Sequence, residues 1–280
     1  MGRPPPSWRD GVPNLGPVSN GSGELDTHMQ PHLSIVVPAY NEEHRIPQTL
    51  GHMLSYLETK SYSAEVIVVD DGSQDNTAGV VGDLAAGHHQ VRLIRNLHGG
   101  KAHAVRAGML AAEGEYVLFT DADGATPIEE LEKLLPHLER EYDVAIGSRE
   151  GAGATRHHEP AYRHLMGRVF NLIVQSLAVP GIQDTQCGFK AFRRRAAQDL
   201  FSNMQLYGSS AGHVQGAMLT GFDVEILFLA RKWGYSIVEV PVQWYFGKES
   251  KVNPIKDSWR NLRDVLRVRW NDLRGKYRRG

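Results

Sequence analysis

The chain has 280 residues, 41% of them hydrophobic and 22% charged, with 31 Lys plus Arg against 32 Asp plus Glu. That composition supports a folded core and excludes wholesale disorder, and the net charge of −1 argues against nucleic-acid binding driven by bulk charge. The single cysteine, Cys187, excludes an internal disulfide and a Cys-rich zinc site, which makes a reducing compartment the default.

Residues 1 to 31 carry Pro4-Pro5-Pro6, Pro13, Pro17 and the run Ser19 to Gly23, so they read as a disordered tail with little to bury and no signal peptide. Regular patterning follows. Leu33 to Val37 is an apolar, strand-like run, and Ile46, Leu50, Met53, Leu54 and Leu57 fall at helical spacing within 43–58. Glu65 to Val69 is a second strand, ending in Asp70-Asp71-Gly72-Ser73. Val91 to Arg95 is a third, followed by a small-residue helix over Gly100 to Ala112. Tyr116 to Thr120 is a fourth, closed by Asp121-Ala122-Asp123. Pro127 starts a helix with Ile128, Leu131, Leu134, Leu135 and Leu138 on one side, and Val144 to Gly147 is a fifth strand.

Strand–helix alternation with continuous apolar strands predicts an α/β fold, a mostly parallel sheet covered by helices on both faces. Ligands bind such sheets beyond the carboxyl ends of the strands. The polar clusters stand there: Tyr40-Asn41-Glu42, Asp70-Asp71, Asn96, Asp121/Asp123 and Arg149. Asp121 and Asp123 can hold one hard cation such as Mg2+ or Mn2+, which binds a few carboxylates together with substrate phosphates. They can equally be first-turn acids of a helix. Asp71 is either a hydrogen-bond acceptor for a ligand or a turn residue. Lys101 and Arg106 either bind phosphate or face water. Cys187 reads as a buried small residue, and a second metal site at His157, His158 and Glu159 reads as less favoured than a mobile loop, given the small residues Gly151 to Ala154 before it.

Val37 to Glu43, Val69 to Ser73, Asn96 to Gly108 and Asp121-Ala122-Asp123 together resemble the family 2 glycosyltransferases, which have the GT-A fold. Gly147-Ser148-Arg149, Asp184 to Lys190, Phe222 to Glu225 and Glu249-Ser250-Lys251 narrow the resemblance to the polyprenyl-phosphate branch, closest to the dolichyl-phosphate glucosyltransferases. The resemblance covers roughly residues 33–268 and sets a GT-A domain over 32–254. It implies inverting, metal-dependent transfer of a hexose, glucose from UDP-glucose first, onto polyprenyl phosphate. Pro38, Tyr40, Glu42, Asp71, Lys101, Ala122 and Lys251 would line the nucleotide-sugar site, with Asp121 and Asp123 as metal ligands. Tyr245 stands where dolichyl-phosphate mannose synthases carry an arginine, six residues before Lys251. Three other readings stay open: GDP-mannose as donor, a saccharide hydroxyl acceptor with Asp223 as base, and a non-catalytic nucleotide-binding membrane scaffold.

A phosphate monoester has a second pKa near 6 and is already an anionic nucleophile, so it needs cations rather than a base. Arg149 leads the candidates, followed by Arg163 and Arg168, with Asp223 and Glu225 organising the pocket. Residues 255–280 read as a basic amphipathic helix. Its stripe is Ile255, Trp259, Leu262, Leu266, Trp270, Leu273 and Tyr277, and nine Lys or Arg against three Asp between 256 and 279 give +6. Such a helix either lies on anionic lipid or packs its stripe on the domain. No run reaches the roughly 18 apolar residues of a membrane span. The reading is therefore a cytoplasmic protein peripheral to the membrane, with a membrane-protein partner or a second copy as further partners.

Overall fold

A computed structural model describes residues 30–207, 221–246 and 254–279. Lys251 lies outside the described residues, as do the side chains of Ile255 and Arg163. In chain order the elements are β1 (Leu33–Ala39), α1 (Ile46–Glu58), β2 (Ala64–Asp70), α2 (Thr77–Gly87), β3 (Val91–Arg95), α3 (Lys101–Ala111) and β4 (Tyr116–Thr120). After a short 3-10 turn come α4 (Leu131–Arg140), β5 (Val144–Ser148), β6 (Thr155–His157), α5 (Ala161–Leu177), β7 (Phe189–Arg193) and α6 (Arg194–Ser202). The last are α7 (Phe222–Lys232), β8 (Ile237–Pro241), β9 (Gln243–Tyr245) and α8 (Pro254–Leu273).

Seven strands form one sheet in the order β3-β2-β1-β4-β7-β5-β8. All neighbours are parallel except β7, which runs antiparallel to β4 and β5. Strands β1 and β4 are buried along their full length, so side chains of both parities face apolar layers. Ile35, Val37, Val68 and Leu118 pack under α1, α2 and α4. Val36, Val69, Val117 and Phe119 pack under α3, α6, α7 and α8. Each such side chain contributes about 1.5–3 kcal/mol by leaving water, which makes the sheet centre the rigid part of the molecule.

The single reversed strand decides what meets at the site. Six strands present their carboxyl ends at one edge, so the loops after Ala39, Asp70, Arg95, Thr120, Ser148 and Pro241 converge there. Because β7 runs the other way, its amino end reaches that edge and brings residues 184–188 with it. Phe189 pairs with Thr120, which sets Gly188 beside Asp121. A small sheet of β6 and β9 stands over the β5 and β8 ends. His157 of β6 stacks on Tyr245 of β9 at 4.3 Å, and Glu159 is paired with Arg156 at 2.7 Å, so those two side chains of the second metal reading serve packing.

α8 is helical from Pro254 to Leu273 and ends in turns through Tyr277 rather than running to the terminus. Its faces also differ from the expected single stripe. Asn261, Asp264, Val265 and Val268 are buried against the domain, and so is Tyr277 beyond the helix, while Leu262 is half-buried. Trp259, Leu266, Trp270 and Leu273 are exposed. The inward face carries a carboxylate because Asp264 accepts hydrogen bonds from Tyr207 Oη at 2.5 Å and from the Gly221 amide at 3.1 Å.

Candidate active site

The acidic pair stands just past β4. Asp121 Oδ1 is 2.5 Å from Lys101 Nζ, the first residue of α3. Burial opposes the lysine's charge, but Asp121 and then Asp223 outweigh it, so Lys101 holds its proton more tightly than a free lysine. Asp123 is exposed. Loss of surrounding water, then repulsion from Asp121, push its carboxyl above the usual range, and the Ala125 amide hydrogen bond at 3.0 Å only partly compensates. Ala122 between them is buried, its carbonyl accepting from Thr49 Oγ1 at 2.7 Å. The two side chains flanking it are thereby held on a fixed backbone.

These residues fit a hard divalent ion. Two oxygen donors sit one residue apart at a point that already attracts an ammonium group, and one of them is under-compensated. Among the described residues no three His, Cys, Asp or Glu side chains converge on a point, so a diphosphate and water would complete the shell of such an ion.

Asp71 is buried, and its carboxylate is engaged by the neighbouring turn. Oδ1 accepts from the Gly99 amide at 3.0 Å and Oδ2 from the Gly100 amide at 2.8 Å. His98 Nδ1 lies 2.8 Å from Oδ2. Gly100 has φ +87°, a conformation that favours glycine, and the turn sets the start of α3. Asp71 therefore fixes where Lys101 emerges. The His98 ring stacks on Tyr40 at 4.2 Å, leaving a flat aromatic pair beside the acids. Glu42 takes Arg45 in a two-point ion pair, 2.6 and 2.9 Å, and its amide donates to Thr77 Oγ1. Pro38 is buried in β1 opposite Val69.

Arg149 is already partnered. Its Nε and Nη2 donate to Asp184 Oδ2 and Oδ1 at 2.7 and 2.9 Å, its amide donates to Oδ2 at 2.9 Å, and its guanidinium lies 5.2 Å from the Trp244 ring centroid. Arg168 is 3.3 Å from Glu150, which also pairs with Arg156 at 2.6 Å. Asp223 is paired with Lys190, whose Nζ donates to Asp223 Oδ1 at 2.6 Å and to the Cys187 carbonyl at 2.5 Å. Lys190 is 1% exposed, so this is a buried ion pair. Glu225 is spent on structure: it accepts from the Gln205 and Leu206 amides and from Tyr277 Oη at 2.6 Å. Cys187 is buried as expected, and burial pushes its thiol up to about 11.

The structure thus gathers Asp121, Asp123, Lys101 and Asp223 around one charged centre, with Arg149 paired at the β5 end of the same edge. Three participants escaped the sequence reading as side chains with assigned contacts. Asp184 and Lys190 were the two ends of one motif, and His98 stood within the stretch from Asn96 to Gly108. The contacts of Asp184 and Lys190 follow from the reversal of β7, and those of His98 from the turn that Asp71 closes.

A seven-stranded sheet with this one reversed strand, and an acidic pair at its carboxyl edge facing a lysine, defines the nucleotide-diphospho-sugar transferase class with a GT-A fold. The sequence model described as glycosyl transferase family 2 matches residues 34–201, and the chain belongs to that family. It is a hexosyltransferase. It is 38% identical to the human dolichyl-phosphate beta-glucosyltransferase over 88% of this chain and 77% of that one. It is 35% identical to the enzyme of that name from Dictyostelium discoideum over 87% and 76% of the two chains. Among solved structures it resembles a mannosyltransferase from Pyrobaculum calidifontis in complex with GDP-Man and Mn2+ (TM-score 0.55, 21% identity, 88% of this chain and 65% of that one). It also resembles glucosyl-3-phosphoglycerate synthase from Mycobacterium tuberculosis in complex with Mg2+ and uridine-diphosphate (TM-score 0.57, 20% identity, 88% and 79%). These two likenesses concern the fold.

Proposed function

We propose that this protein transfers glucose from UDP-glucose to dolichyl or a related polyprenyl phosphate at a membrane surface. The observation that carries the reading is the Asp121-Ala122-Asp123 edge with Lys101 against it, in a chain whose relatives carry the name of that transfer. Asp121 and Asp123 hold Mg2+ or Mn2+, which when bound neutralises charge on the departing diphosphate. Tyr40 and His98 offer an aromatic surface for the base. The turn held by Asp71 positions Lys101 toward the phosphates, and Pro38, Glu42 and Ala122 shape the walls, with Lys251 assigned to the same donor pocket. Arg149, Arg163 and Arg168 hold the acceptor phosphate, which attacks the anomeric carbon as an anion.

Asp223 bears on the hydroxyl-acceptor alternative. A saccharide acceptor needs a base to take its proton. The carboxylate that would serve is buried and ion-paired to Lys190. The reading is tested by offering the protein UDP-glucose, GDP-mannose and related donors with polyprenyl phosphate and Mg2+. Lipid-linked glucose from UDP-glucose is expected. A product formed only on free saccharide would overturn the reading.

The membrane part rests on where the apolar surface lies. Apart from Leu97, every large exposed hydrophobic residue among those described falls on α5 or α8. Tyr162, Leu165, Val169 and Leu172 make a stripe on α5, and Trp259, Leu266, Trp270 and Leu273 make one on α8. The two helices pack together, so their stripes flank one surface. Exposed Arg263, Arg267 and Arg274 border the α8 stripe, a pattern suited to anionic lipid. Among the described residues no helix is long and apolar enough to cross a membrane. Leu165→Glu combined with Trp270→Glu is expected to weaken co-sedimentation with vesicles containing phosphatidylserine by at least about tenfold, equivalent to ~1.4 kcal/mol. UDP binding should be unchanged. Vesicle binding equal to wild type would refute the membrane surface.

A further inference from the structure

Lys101 does more than reach for phosphate. Its ammonium is 2.5 Å from Asp121 Oδ1, an oxygen that a divalent ion at the acidic pair would use. The lysine is not there by chance of a flexible surface chain. It is the first residue of α3, its stem fixed by Gly100, whose amide is bound to the buried Asp71 carboxylate at 2.8 Å. Asp223 supplies a second negative charge close enough to act on it, and Asp223 is itself held by the buried Lys190. The charges therefore alternate inward from the acidic pair: Asp121, Lys101, Asp223, Lys190.

We propose that Lys101 is a resident counter-cation of Asp121, which keeps the divalent ion from binding alone and yields its place only when a nucleoside diphosphate arrives with the ion. This rests on the reading that Asp121 and Asp123 hold that ion. An ammonium and a divalent ion cannot share one carboxylate oxygen without strong mutual repulsion. A metal entering by itself must displace the lysine from Asp121 and gains nothing that re-pairs it. A diphosphate changes the balance, because its oxygens accept the displaced ammonium as well as the metal. Metal and nucleotide are then coupled through one side chain, and by linkage each raises the affinity for the other by the same factor. The arrangement also keeps the acidic pair from repelling the incoming anionic donor before the metal is in place.

The experiment measures Mn2+ binding to the full chain by electron paramagnetic resonance, with and without UDP. In wild type, Mn2+ alone should bind weakly, and UDP should tighten it by about tenfold or more. Lys101→Met should bind Mn2+ alone about tenfold more tightly than wild type, and UDP should add little. Lys101→Arg, which keeps the charge, should bind Mn2+ alone as weakly as wild type. The circular dichroism of each variant reports folding, and the arginine variant carries the test if the methionine variant does not fold: tighter Mn2+ binding by Lys101→Arg would then count against the proposal. Unchanged or weaker Mn2+ binding by folded Lys101→Met would overturn it. Asp121→Asn separates the two readings. If it abolishes Mn2+ binding while Lys101→Met leaves it unchanged, the metal site stands and the counter-cation falls. If Asp121→Asn leaves Mn2+ binding intact, both fall.

Discussion

Replacing Asp121 with asparagine is expected to slow sugar transfer to the lipid acceptor by about 10²–10³-fold while leaving the protein folded. The carboxylate is the acid of the pair with a direct cationic partner, Lys101 at 2.5 Å, and both side chains keep some contact with solvent, so removing the charge costs little stability. The same loss should appear without touching the acid. A Cβ at Gly188 would lie 2.1 Å from Asp121 Oδ2 and 2.6 Å from Cγ. The backbone there cannot retreat, because Thr120 and Phe189 are paired in the buried centre of the sheet. In Gly188→Ala the Asp121 side chain must therefore turn away, and the rate should fall by about 10²-fold, as for a misplaced group. Initial rates of lipid-linked glucose formation, with thermal midpoints as a folding control, check both variants. Rates within a few-fold of wild type in both would remove Asp121 from the chemistry.

The first half of the fold was legible in the sequence for a plain reason. β1, β2 and β4 are mostly apolar runs that stop at polar residues, broken only by Ser34 and Glu65, which bond each other, and a strand buried on both faces reads that way. The strand-end acids followed from the same pattern. β7 was not legible as a reversed strand, because direction is set by which neighbours it pairs with and leaves no mark in a five-residue segment. The contacts that β7 sets up were hidden with it, although the motif running into it was recognised. Lys190 stood at the end of a motif with no partner assigned, and it is buried because Asp223, 33 residues further on, meets it. Arg149 was recognisable as a cation, but its pairing with Asp184 is a contact across 35 residues. α8 shows a different limit. Its periodicity gave the helix, but both faces hold apolar residues at helical spacing. Only the partners of Asp264 reveal which face turns inward.

Asp184→Ala should be the most destabilising of the substitutions considered, by about 3 kcal/mol at neutral pH, which lowers the thermal midpoint by roughly 6–12 °C. Asp184 is 5% exposed by side chain and Arg149 is 18% exposed, so the change strands a largely buried guanidinium. The low end of the range for broken buried pairs applies because Arg149 keeps the Trp244 ring and some water. The lost carboxylate also releases the Arg149 amide, while the loop it closed stays held by Glu239, which accepts from the Gln183 and Asp184 amides at 2.7 and 2.9 Å. The pH dependence has a definite sign. Burial alone would raise the Asp184 pKa, but Arg149's charge and hydrogen bonds outweigh it and hold the carboxyl well below the usual range. The unfolded chain therefore takes up a proton at higher pH than the folded one does. The stabilisation is full above the ordinary aspartate pKa of about 3.9 and is lost as pH falls from there toward the depressed folded value. Urea unfolding at pH 7 and at pH 3 should show the gap between wild type and Asp184→Ala narrowing at the lower pH. A gap below about 1 kcal/mol at pH 7 would place Arg149 in water rather than in a buried pair. That outcome would leave the guanidinium free for the acceptor phosphate. A wide gap instead means the phosphate must compete with Asp184 for the same fork of N–H groups.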